Sequence, residues 1–106
     1  MQFAHEKTEH YTILRVLAEK LDSTIAPDLK SDLLMLNKDG VVNIILDLTN
    51  TRYCDSSGLS SVLVGNRLCK NENGTLVLVC LQPSVRKLIS ISQLDPVLHI
   101  VPTVSE

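Results

Sequence analysis

The sequence predicts an α/β fold, a mixed β-sheet with helices packed mainly on one face, and three observations carry that prediction. Two apolar runs, residues 41–48 and 75–81, alternate poorly and read as strands buried on both faces, as in parallel sheets. The stretches that precede and follow them repeat their apolar residues at spacings of three and four, the period of helices that bury one side. The β-rich segment 11–17 lies ahead of both, after a polar opening that suits a hairpin partner. The resulting order, β-β-α-β-α-β-α-β, calls for parallel crossovers. In such folds function gathers at the strand-to-helix loops, beyond the carboxyl ends of the strands.

Taken in order, residues 3–8 are too polar to assign by themselves, and 11–17 is the first clear strand. A polar crossing, residues 18–24, ends in Ser23 and Thr24, both good N-cap residues. Ala26, Leu29, Leu33 and Leu36 then form one apolar stripe, with Pro27 tolerated in the first turn. Gly40 suits a left-handed helix end, and the central strand 41–48 follows at once. A second helical pattern begins at Leu59 and runs to about Lys70, the turn 71–74 closes it, and strand 75–81 comes next. Pro83 opens a third helix with Val85, Leu88 and Ile89 inside, Asp95-Pro96 breaks it, and 97–101 is a short last strand.

One domain over residues 1–106 is expected, with 44% hydrophobic residues to build a small core. Ten basic and twelve acidic residues are scattered, and aromatic content is 3% with no Trp, so nucleic acid is a poor partner. The longest apolar runs fall far short of the ~20 residues that span a bilayer, and the polar opening has no signal-peptide pattern. A cytoplasmic protein without a membrane partner is therefore expected. Cys54, Cys69 and Cys80 lack zinc spacing and read as reduced core thiols, so no metal or cofactor is expected. Cys54 stands beside a helix start, where a thiol pKa can fall.

No catalytic set is complete. Ser56 and Ser57 lack a Gly-x-Ser-x-Gly elbow, and all four glycines stand alone, so no phosphate loop exists. Ser84-Val85-Arg86-Lys87 fits Ser-x-x-Lys but lacks companion motifs. His5, His10 and His99 are scattered, and Asp47, at the end of the central strand, reads as a capping residue rather than a phospho-accepting aspartate. No enzyme is expected.

The stretch Asp55-Ser56-Ser57-Gly58-Leu59, at a strand-to-helix junction, is rich in residues that cap a helix. Together with Leu21-Asp22, Ala26, Leu29, Ile45-Leu46-Asp47-Leu48 and Pro83-Ser84-Val85, it resembles the STAS domain of bacterial anti-sigma-factor antagonists. The resemblance covers nearly the whole chain. It implies that Ser56, directly after Asp55, is the serine phosphorylated by an anti-sigma factor with serine kinase activity, and that a serine phosphatase reverses this. Partner contact is expected to centre on Asp55, Ser57 and Gly58 around that serine, with Gly58, lacking a Cβ, leaving the approach to the hydroxyl open, and the resemblance adds Asp22 and Ser23 beside them. In the family a Gly-Glu often precedes the Leu-Asp, where this chain has Glu19-Lys20, and many members continue into a final helix beyond the position of Glu106. A transcription regulator working by partner switching is one expectation. A STAS module of another signalling or lipid-transport assembly is a second, and a small serine hydrolase using Ser56 or Ser57 is a third.

Overall fold

The computed structural model describes residues 2–102. A five-stranded sheet is ordered β1-β2-β4-β6-β7, from β1 (Phe3–Lys7), β2 (Thr12–Val16), β4 (Asn43–Asp47), β6 (Thr75–Val79) and β7 (His99–Val101). β1 pairs antiparallel with β2, and the other pairings are parallel. The expected hairpin, the mixed sheet and the central place of the two apolar strands are all present.

Register explains the layers. Leu14, Leu46 and Leu78 stand side by side across three strands and are buried. Side chains alternate across a strand, so this row, with Val16, Ile44 and Leu76, looks to one face. There it joins Leu29 and Leu33 of α1 (Ala26–Lys38), Leu59 and Val62 of α2 (Ser56–Asn71), and Val85 and Ile89 of α3 (Pro83–Ile91) in one core. The next row, Ile13, Ile45 and Val77, looks to the other face, and Ile45 and Val77 there are only half-buried. The two central strands are thus fully covered on one side, not two, and they are shorter than the apolar runs that announced them: residues 41, 42 and 48 of the first run and 80 and 81 of the second lie outside the strands.

At Gly65 of α2 an added Cβ would lie 2.8 Å from Leu33 of α1 and 2.9 Å from Leu76 of β6, so both helices press together on the sheet only because that position is glycine. The three helices among the described residues end alike. In α1, Val41 N–H bonds Leu36 C=O and Gly40 N–H bonds Asn37 C=O, with Gly40 at φ 86°. This is the paired-bond ending that a left-handed residue permits. Asn73 and Gln93 take the same role after α2 and α3.

Candidate functional site

Two short strands absent from the sequence reading assemble the site. β3 (Lys20–Leu21) and β5 (Tyr53–Cys54) pair in parallel, Leu21 opposite Cys54, inside the segments that look like polar connections. Arg52 N–H bonds Glu19 C=O at 2.8 Å, Asp55 N–H bonds Leu21 C=O at 3.3 Å, and the Thr51 hydroxyl bonds Ala18 C=O at 2.9 Å. Since Leu21 and Cys54 are partners, the next residues, Asp22 and Asp55, leave the ladder together. The loop before α1 and the loop before α2 are therefore neighbours at the carboxyl end of the sheet.

Asp55 is the N-cap of α2. Its backbone is extended, its C=O accepts from Leu59 N–H at 3.0 Å, and its Oδ1 accepts from Gly58 N–H at 3.0 Å. The helix thus starts at Ser56, three residues before the apolar pattern does, because its first two residues, Ser56 and Ser57, face solvent. Ser56 and Ser57 are the first two helical residues and are exposed. Their N–H groups lie where a helix offers no acceptor of its own, a setting that suits an anion. Gly58 is buried, and an added Cβ would lie 2.2 Å from Leu21 C=O and 2.9 Å from Cys54 Sγ. Its missing side chain lets α2 sit against β3, which is a different service from keeping an approach open.

Asp22 holds the other loop. Its Oδ1 accepts from Thr24 N–H at 3.0 Å, and its C=O accepts from Ile25 N–H at 3.1 Å and Ala26 N–H at 2.7 Å. Ile25 is the N-cap of α1 and makes no side-chain cap bond, so Ser23 and Thr24 do not cap this helix as their identities suggest. A groove of about 350 Å³ runs between α1 and α2, with Ala26, Pro27 and Val64 among its walls and Ser23, Ser57 and Lys30 also lining it. Ser23 and Ser57 therefore share one surface.

The Cys54 thiol is pushed up to about 12 by burial and by the nearby Asp55 charge, and burial pushes Cys69 up to about 11. Desolvation outweighs the helix-end effect expected at Cys54. Asp47 accepts from Thr49 N–H at 2.9 Å through Oδ1 and lies 3.4 Å from Arg15 Nε through Oδ2, a structural use of the carboxylate. The Ser84 hydroxyl donates to Arg52 C=O, and Gln82 Nε2 donates to Thr49 C=O at 2.6 Å, fastening the start of α3 to the β4–β5 connection. His5 bonds Asp32 of α1 at 2.6 Å, His10 lies in the β1–β2 turn, and His99 is exposed on β7. No histidine is among the residues that line the groove.

A family model described as "STAS domain" matches residues 2–106. Among solved structures, an anti-sigma factor antagonist from Mycobacterium paratuberculosis superposes with a TM-score of 0.85 at 21% identity, covering 97% of this chain and 86% of that one. The phosphorylated form of the Bacillus cell fate determinant SpoIIAA matches with a TM-score of 0.73 at 25% identity, covering 93% of this chain and 90% of that one. The murine Solute Carrier 26 family member A9 anion transporter matches with a TM-score of 0.76 at 15% identity, covering 94% of this chain and 17% of that one.

Proposed function

This chain belongs to the STAS domain family, and from that premise we propose that it is an anti-sigma-factor antagonist controlled by phosphorylation of Ser56. Unphosphorylated, it binds an anti-sigma factor with serine kinase activity and so frees a sigma factor. Phosphorylated, it lets that partner go, and a serine phosphatase resets it. The observation that carries this reading is the position of Ser56: exposed, first in α2, held there by the Asp55 cap and set beside the Asp22 loop.

A phosphate adds about −1.5 to −2 charge and three acceptor oxygens. The free N–H groups of the first turn and the positive end of α2 accommodate it, so the fold survives. Docking does not, because the new charge stands next to the Asp55 carboxylate in the surface formed with Asp22, Ser23 and Ser57. Ser56 is chosen over Ser57 on two grounds: the family position after the aspartate, and the turn of Ser57 towards the α1–α2 groove. The chain works by binding rather than by catalysis. No helix among the described residues is long and apolar enough to cross a membrane, and a cytoplasmic site of action fits this role.

The likeness to a domain of an anion transporter favours a second reading, a STAS module that serves a larger assembly without a phosphate switch. Incubation with candidate kinase-type anti-sigma factors and labelled ATP separates the two. The switch predicts phosphate incorporation by the parent chain, none by Ser56→Ala, and retained binding of the kinase by that variant. Incorporation that persists in Ser56→Ala removes Ser56 as acceptor, and an absence of both binding and incorporation across the candidates favours the assembly module.

A further inference from the structure

A cleft of about 410 Å³ lies between the C-terminal half of α2 and the turn that follows α3, at the far end of the helix from Asp55. Leu63, Leu94 and Val97 give it apolar walls, and the exposed Arg67 and Lys70 also line it. Asn66 lines it too, and its position is unusual. It belongs to the buried stripe of α2 with Val62 and Cys69, and it is only 5% exposed. Its Oδ1 is sealed from solvent and accepts no hydrogen bond among the described residues. Asn is a poor residue inside a helix, and an apolar side chain of similar size would avoid leaving a buried acceptor unpaired. Packing therefore gives no reason for an amide here. The last torsion of an Asn side chain is soft, so a donor arriving in the cleft can turn Oδ1 towards itself.

We propose that this cleft binds a small amphipathic organic anion that carries an N–H donor. The apolar body lies against Leu63, Leu94 and Val97, the N–H reaches Asn66 Oδ1, and the anionic group meets Arg67 and Lys70. The three chemistries sit within one cavity of the size that small-molecule sites have. Arg67 and Lys70, three apart on α2, project to the same side of the helix. In a chain of net charge −2 they form a local positive edge.

The probe is 8-anilinonaphthalene-1-sulfonate, which combines an aromatic body, one N–H and one sulfonate. A methyl-detected NMR titration of the full chain should show saturable shifts at Leu63, Leu94 and Val97, with Ile45 and Val77 unmoved. The double variant Arg67→Glu/Lys70→Glu changes only exposed side chains, so it should fold normally and raise Kd at least tenfold. Asn66→Leu should weaken the probe severalfold while the melting temperature holds or rises. 8-Phenoxynaphthalene-1-sulfonate, which keeps both ring systems and the sulfonate but has an ether oxygen in place of the N–H, should bind the parent more weakly than the probe does and should not distinguish the parent from Asn66→Leu. Shifts that fail to saturate or that centre elsewhere overturn the site. An unchanged Kd after charge reversal overturns the anion, and equal probe binding by Asn66→Leu overturns the amide contact.

Discussion

Ser56 and Asp55 are neighbours with separate duties, and single substitutions tell them apart. Asp55 makes the cap bond to Gly58 N–H, whereas the Ser56 hydroxyl stands in solvent at the first helical position. Ser56→Ala should therefore change stability by less than about 0.5 kcal/mol, the range of exposed positions, while Asp55→Ala should lose about 1 kcal/mol as caps do. Urea unfolding of both variants checks the contrast, and equal losses would mean the serine shares the cap. Cys54 offers a pH test. Its thiol keeps its proton in the folded chain up to about 12, against 9.0 for an ordinary thiol. A raised folded value leaves stability intact below about pH 9 and erodes it above, because only the unfolded chain then loses the proton. Cys54→Ala should thus lose less stability than the parent between pH 8 and about pH 10.5, as denaturant titrations at the two pH values would show. In the parent, the Cys54 thiol should also resist alkylation at pH 8 until the chain unfolds.

The start of α2 shows what elements conceal from their own sequence. Apolar periodicity begins at Leu59, yet the helix begins at Ser56, since its first turn buries only Gly58 and leaves both serines to solvent. The long apolar runs announced β4 and β6 because those strands are interior, and the polar residues around Leu21 and Tyr53 gave no sign of the two-residue strands β3 and β5. Strands that short have no period to read, and they exist because the rest of the fold brings their backbones together. The side-by-side placement of the Asp22 and Asp55 loops was therefore legible only through family resemblance; the β3–β5 ladder supplies its physical cause. Gly58 is the tightest point of that join, with Leu21 C=O 2.2 Å from where a Cβ would stand. Gly58→Ala forces α2 away from β3 and should cost about 1–3 kcal/mol, with a lowered melting temperature as the readout. Asp22→Lys removes one bond to Thr24 N–H and reverses a charge on the outer surface. The kinase partner should bind this variant at least tenfold more weakly while its circular dichroism stays unchanged, and full affinity would take Asp22 out of the contact.

At the scale of the whole molecule, the sheet is a platform with helices on one face and its working loops at one end. The Asp22 loop, β5 with Asp55, and the start of α3 are fastened to one another by Arg52, Ser84 and Gln82, so the surface around Ser56 is preformed rather than shaped by a partner. A preformed surface loses little ordering entropy on binding. Under the proposed switch, a phosphate on Ser56 needs to change docking by only about 1.4 kcal/mol to alter affinity tenfold. The direct measurement is calorimetric titration of the kinase-type anti-sigma factor with this protein before and after stoichiometric phosphorylation, with the phosphate located by fragment mass spectrometry. The switch predicts phosphate on Ser56 and an affinity at least tenfold lower in the phosphorylated form; equal affinity of the two forms, or phosphate on Ser57, would contradict it.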